Sequence, residues 1–132
     1  MAIVVGYVAT KEGRAALRRA ADECVLRNTK LVVISSHRGG KEFDAEESGR
    51  FEEELSRVRT QLEAQGLTHE VRQLVRGNDP AEDLIAVARE EDAEFIVIGL
   101  RRRSPVGKLI LGSNAQRILL DATCPVLAVK AD

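Results

Sequence analysis

Residues 95–99 read Phe95-Ile96-Val97-Ile98-Gly99, four apolar side chains with no polar interruption, closed by a glycine. A run this short, in which β-branched residues dominate, describes a strand buried on both faces, because a strand with one wet face alternates apolar with polar. Ile3-Val4-Val5-Gly6-Tyr7-Val8 and Leu31-Val32-Val33-Ile34 have the same character. Two other runs differ. Thr68 to Val75 carries Glu70 and Arg72 among its apolar residues, and Val126 to Lys130 ends in charge, which suits the edges of a sheet.

Between these five runs lie four segments of helical period. Leu17, Ala20, Ala21 and Cys24 recur at i, i+3, i+4 and i+7; Phe51, Leu55, Val58 and Leu62 form a second apolar face, with Gly66 just past the helix end. A third helix opens at Asp79-Pro80-Ala81-Glu82, where Asp79 is expected to cap, Pro80 suits the first helical position and Glu82 completes a capping box. Ser113 is expected to cap the fourth, with Gln116 three residues on and an apolar face of Ala115, Ile118, Leu119 and Ala122.

Strands and helices that alternate without a linker or repeat define one domain over residues 1–132, of the α/β class, with a five-stranded parallel sheet and helices on both faces. Right-handed crossovers, with the third and fifth runs at the edges, give the strand order 3-2-1-4-5. Ligands of such sheets bind beyond the carboxyl ends of the strands at the point where the order reverses, here between the first and fourth. Val8 to Thr10, Ser35 to His37 and Gly99 onward therefore form the rim. The polar stretch Ser36 to Arg50, with Gly39, Gly40 and Gly49, leaves the same rim and reads as a long connection, either a lid or plain disorder.

Composition narrows the function. The 132 residues hold 20 Lys plus Arg against 21 Asp plus Glu, a net charge of -1 that argues against nucleic-acid binding. Cys24 and Cys124 stand far apart without metal-ligand spacing, so a zinc site or disulfide framework is not expected, and free thiols fit a reducing compartment. A basic leader and an apolar run of membrane-spanning length are both missing, so a cytoplasmic location is expected. His37 and His69 have no nucleophile or paired carboxylate placed beside them by motif, and no enzymatic activity or metal site is expected. Glu52 to Glu54 and Glu90 to Asp92 read as solvated helix faces and ends. The G-x-G-x-x-G dinucleotide fingerprint and the Walker loop both fail, the first after Gly6 and the second at Leu109.

The rim is richest between Gly99 and Ser113, GLRRRSPVGKLILGS. A glycine at a strand end admits a ligand close to backbone, and Gly112-Ser113 at a helix start offers unbonded N–H groups, a hydroxyl and the positive end of a helix dipole. Arg101, Arg102, Arg103 and Lys108 add charge, and guanidinium groups grip phosphate in bidentate fashion. The alternative is a simple helix cap beside a solvated basic surface.

This segment, and the chain as a whole, resembles the universal stress protein family. Where the family's nucleotide signature reads G-x2-G-x9-G-[ST], this chain reads Gly99-x2-Arg102-x9-Gly112-Ser113, and the tail from Ala115 through Cys124-Pro125-Val126 to Val129, Leu17, Ala20, Asp79-Pro80 and residues 95–99 all fall where members have comparable residues. The resemblance implies a Rossmann-like fold, a homodimer through the last strand (Val126 to Val129), and ATP or AMP beside strands one and four, with Mg2+ only if ATP binds. Carried over by position, phosphates would meet Gly99, Arg101, Arg102, Gly112, Ser113 and Asn114, while adenine and ribose would lie near Gly6, Val8, Ser36 and Ile98. Two positions depart from the family pattern: Val8 stands where nucleotide-binding members usually place Asp, and Arg102 replaces the second signature glycine. Arg102 either pairs with phosphate or fills the site, and in the second case the chain is a dimeric interaction protein that binds no nucleotide.

Overall fold

The computed structural model describes residues 1–8, 10–37, 45–75, 79–100 and 111–131. Along them alternate β1 (Ala2–Gly6), α1 (Lys11–Arg27), β2 (Lys30–His37), α2 (Ala45–Ala64), β3 (His69–Val75), α3 (Pro80–Glu90), β4 (Ala93–Leu100), α4 (Ser113–Asp121) and β5 (Val126–Lys130). Every strand pair is parallel and the order is β3-β2-β1-β4-β5. The wholly apolar runs occupy the centre and the charge-bearing runs the edges, as their patterns require.

Register places Val5 beside Val33 on one side and Val97 on the other. Because successive side chains on a strand point to opposite faces, the sheet feeds two cores. Ile3, Val5, Tyr7, Leu31, Val33 and Val97 pack with α1 and α2. Val4, Val32, Ile34, Ile96 and Ile98 pack with α3 and α4. Burial of one such side chain contributes about 1.5–3 kcal/mol, so both layers are held by the same strands. Leu17, Ala20, Ala21 and Cys24 are all buried on α1, and Leu55, Val58 and Leu62 on α2.

Helix ends follow local chemistry more closely than motif spacing. The Thr10 hydroxyl caps α1, accepting from the Gly13 N–H at 3.1 Å, and Asn28 closes that helix with φ 53°. Gly66, at φ 69°, ends α2 as expected: its N–H returns to the Glu63 carbonyl at 3.0 Å and the Leu67 N–H to Leu62 at 3.3 Å. The box at α3 does not form. Asp79 stands at the cap position, but its side chain makes no cap bond; it accepts from Arg117 at 3.3 Å, and Arg117 also reaches Glu82 at 2.8 Å. A charged donor from α4 draws both acids away from the backbone amides.

At α4 the cap is Gly112, not Ser113. Gly112 is extended and its carbonyl accepts from the Gln116 N–H at 3.0 Å, which makes Ser113 the first helical residue. Gln116 turns its side-chain amide to the Leu111 carbonyl at 3.3 Å. The apolar face is also narrower than its spacing suggests, since Ile118 is buried while Leu119 is 42% exposed.

Two further boundaries shift. Tyr7 and Val8 continue the apolar run past the end of β1, and β2 runs on through polar Ser35, Ser36 and His37 because they pair with Gln73, Leu74 and Val75 of β3. His37 is thus a strand residue. With α2 starting at Ala45, what is left of the expected lid or disordered connection is 38–44, which lies outside the described residues. Among the described residues no helix is long and apolar enough to cross a membrane.

Candidate functional site

Two helices begin where β1 and β4 end. Between the carboxyl ends of those strands and the first turns of α3 and α4 lies a cavity of about 180 Å³. Its sheet side is built by Gly6, Tyr7, Val8, Ile34, Ile98 and Gly99, and its helix side by Pro80, Ala81, Leu84, Asn114, Ala115 and Ile118. Of the expected site residues, Gly6, Val8, Ile98, Gly99 and Asn114 meet at this one place. Gly112 and Ser113 stand at the start of α4 but outside the cavity wall. Ser36 belongs to β2, and its side chain falls outside the described residues, as do Arg101, Arg102, Arg103 and Lys108.

The two glycines at the rim have different reasons. A Cβ on Gly6 points into the cavity and meets the tip of Leu84 at 3.0 Å, so the glycine keeps that floor clear. A Cβ on Gly99 points the other way and comes within 2.3 Å of the Glu12 carbonyl oxygen. The strand-end glycine is therefore required by the close approach of α1, not by space for a ligand. Gly13 matches it from the helix side, where a Cβ would lie 1.8 Å from the Val8 carbonyl oxygen.

Neither helix that borders the cavity has a side-chain cap. The first turn of a helix leaves several N–H groups without intrahelical partners, and they concentrate the positive end of the dipole. Proline at the first position removes one of them from α3. Those at the start of α4 lie beside Asn114, the one residue of the described lining with a side-chain amide. Tyr7 contributes backbone here, because its phenol runs to the opposite face of the sheet. There it donates to Glu54 Oε1 at 2.6 Å, and burial together with that carboxylate raises its pKa. Val8 is 52% exposed, an apolar group at the mouth.

The site has the chemistry of an apolar slot with amide donors at one end. Tyr7 is the one ionisable residue of the described wall, and its phenol lies on the other face of the sheet. No cluster of three or more His, Cys, Asp or Glu suited to a metal ion occurs among the described residues. Both thiols are unsuited to nucleophilic work: burial pushes Cys24 up to about 12 and raises Cys124 as well. His69 lies in β3, its Nδ1 2.8 Å from the Leu67 carbonyl oxygen, away from the cavity.

Sequence reasoning missed Ile34, Pro80, Ala81, Leu84, Ala115 and Ile118 as wall residues. Ile34 ends the apolar run of the second strand, which was a usable signal. Pro80 and Ala81 belong to a helix opening and Ala115 and Ile118 to an apolar face, Leu84 carries no motif signal, and only the convergence of α3 with α4 turns them toward a site.

A parallel α/β sheet in this strand order, with helices on both faces and a cavity at its reversal point, defines the class of Rossmann-like folds. The family model described as "Universal stress protein family" matches residues 1–130. A universal stress protein of Mycolicibacterium smegmatis is 46% identical over 130 residues, covering 97% of this chain and 96% of its own. Among solved structures, a universal stress protein from Archaeoglobus fulgidus superposes with a TM-score of 0.85 at 39% identity, covering 98% of both chains. A second structure from that organism, in complex with dAMP, gives 0.80 at 34% identity, again over 98% of both. The chain belongs to the universal stress protein family.

Proposed function

We propose that the chain is a stress-response module that holds an adenine nucleotide, AMP or ATP, in the cavity between β1, β4 and the openings of α3 and α4. The observation that carries this reading is the slot itself, apolar along Gly6, Ile34, Ile98, Leu84 and Ile118, with uncapped helix amides at one end. A volume of about 180 Å³ is below the roughly 300–1,000 Å³ of a pocket that encloses a whole small ligand. It therefore takes one moiety, and its apolar wall suits the base. Phosphates then extend toward Gly112, Ser113 and the arginines at 101 and 102, where amide and guanidinium donors stabilise negative charge. The dAMP complex of the 34% identical relative supports the same assignment. Mg2+ enters only with ATP, carried by its phosphates, and no turnover is part of the reading.

A second reading rests on Val8. A half-exposed isopropyl group at the mouth offers no hydrogen bond to ribose, and loss of a bond to a charged partner costs about 1.5–3 kcal/mol, or about one to two decades of affinity. In this reading the slot stays without nucleotide, Arg102 covers it, and the protein acts through its dimer. Pairing of the free edge of β5, Val126 to Val129, with its own copy is common to both readings, and a cytoplasmic location fits them equally.

Calorimetry with AMP, dAMP and ATP separates the two. Saturable heat, or adenine nucleotide released on denaturing freshly purified protein, supports the first; no heat at millimolar ligand overturns it. Sedimentation at micromolar concentration tests the dimer, and monomers alone would contradict it.

A further inference from the structure

The opposite side of the sheet holds a larger opening. Between α1 and α2 a groove of about 550 Å³ has Tyr7 in its lining and carries Arg14 and Arg18 from α1 and Arg57 from α2. Arg14 and Arg18 are four residues apart on one helix, a spacing at which like charges repel. Among the described lining residues Glu54 is the single carboxylate, and it pairs with two of the three guanidinium groups. It lies 3.3 Å from Arg57 and 3.6 Å from Arg14, and it is already the acceptor for the Tyr7 hydroxyl. Arg18 has no ion-pair partner among the described residues.

Several cations elsewhere are matched by two or more carboxylates each. Arg27 has Glu23 and Glu94, Lys30 has Glu70 and Glu91, and Arg72 has Glu70, Glu90 and Glu91. In a chain of net charge -1, the groove thus gathers three guanidinium groups against one carboxylate in a concave place. Guanidinium forks match the geometry of phosphate oxygens, and three of them in one groove favour a ligand with more than one phosphate group.

We infer that the α1–α2 groove is a second binding site, for a multiply charged phosphate anion held by Arg14, Arg18 and Arg57. It is distinct from the slot under α3 and α4, and Tyr7 belongs to both, with backbone in the wall of one and phenol in the other. The incoming anion competes with Glu54 for Arg14 and Arg57 and so alters the charge around the Tyr7 hydroxyl. Tyr7 is the sole tyrosine of a chain without tryptophan, so intrinsic emission reports that event without a label.

Inorganic tripolyphosphate is the probe, with bound anion measured by equilibrium dialysis and tyrosine emission followed in parallel. One equivalent is expected to saturate, with affinity falling steeply as salt rises. Arg18→Gln weakens binding about fivefold and the Arg14→Gln/Arg57→Gln pair more, while Gly6→Val, which alters only the other cavity, binds as the parent does. Arg14 and Arg57 are 54% and 74% exposed, so these variants keep the parent's melting temperature. No saturable binding at millimolar probe overturns the inference. So does binding lost in Gly6→Val but retained in the arginine variants, since that result puts the anion in the slot.

Discussion

The two faces of the sheet are built from alternate residues of the same strands, yet beside the ends of β1 and β4 one is packed tightly against backbone, opening instead between α1 and α2, while the other leaves a cavity at that point. On the α1/α2 face the first turn of α1 sits so close that Gly99 and Gly13 have no room for a methyl group, the helix start is capped by Thr10, and Tyr7 is tied to Glu54. On the α3/α4 face the helix starts have no side-chain cap, and the glycine at β1 faces a space bounded by a flexible leucine tip. Tight packing against backbone fixes a scaffold, while small residues and uncapped amides leave a place for a ligand. The difference between Gly99 and Gly6, which look alike in sequence, lies wholly in which face their missing side chain addresses.

Substitution at these glycines should break the comparison most strongly. Gly13→Ala and Gly99→Ala each set a methyl against backbone that cannot move without shifting α1, and a loss of about 3 kcal/mol or more is expected in denaturant unfolding. Gly6→Ala meets only a side-chain tip and should cost about 1 kcal/mol or less. Equal losses at all three positions would erase the distinction between the faces.

Next in size is the tie that secures the closed face. Tyr7→Phe removes the donor from a short bond to a carboxylate, and a loss of about 1–2 kcal/mol is expected. Ultraviolet titration of the folded parent should show the phenol still protonated above its ordinary range, since burial and Glu54 both disfavour phenolate. A phenol that ionises as in a free peptide would show that the tie does not persist in solution.

A smaller effect belongs to neither face but to the amino ends of β2 and β3. Glu70 accepts from Arg72 at 2.6 Å and from Lys30 at 3.0 Å, and these bonds lower its pKa to about 2. A carboxylate depressed in the folded state contributes stability that is present above its unfolded pKa and is lost as pH falls through the folded value. Stability should therefore decline from about pH 5 toward pH 2, and Glu70→Gln should flatten that decline. The carboxylate is 38% exposed, so solvent screening holds its share to about 1 kcal/mol. An unchanged acid limb in the variant would remove Glu70 from the account.

Much of this architecture was legible in the chain. Unbroken apolar runs mark β1, β2 and β4 as central, Glu70 and Arg72 mark β3 as an edge, and Gly66 marks the end of α2, because each depends on local pattern alone. The helix starts of α3 and α4 were harder, since Arg117 pulls Asp79 and Glu82 away from capping across 38 and 35 residues of chain, and no spacing rule sees that. The site was legible in part. Val8 and Gly99 follow from the reversal point of the sheet and Gly6, Ile98 and Asn114 from the family resemblance, whereas the walls from α3 and the phenol of Tyr7 depend on which helices converge and which face a side chain takes. Gly99 was legible as special but not as to why.

The account stands on the open face receiving an adenine nucleotide, and its most direct test is calorimetry of AMP with the parent and with Gly6→Val, compared in one buffer. A valine there fills the slot while leaving the closed face untouched. The account predicts saturable heat for the parent, binding at least about tenfold weaker in the variant, and melting temperatures within a few degrees of each other. Equal affinity in the two proteins, or heat from neither, would contradict it.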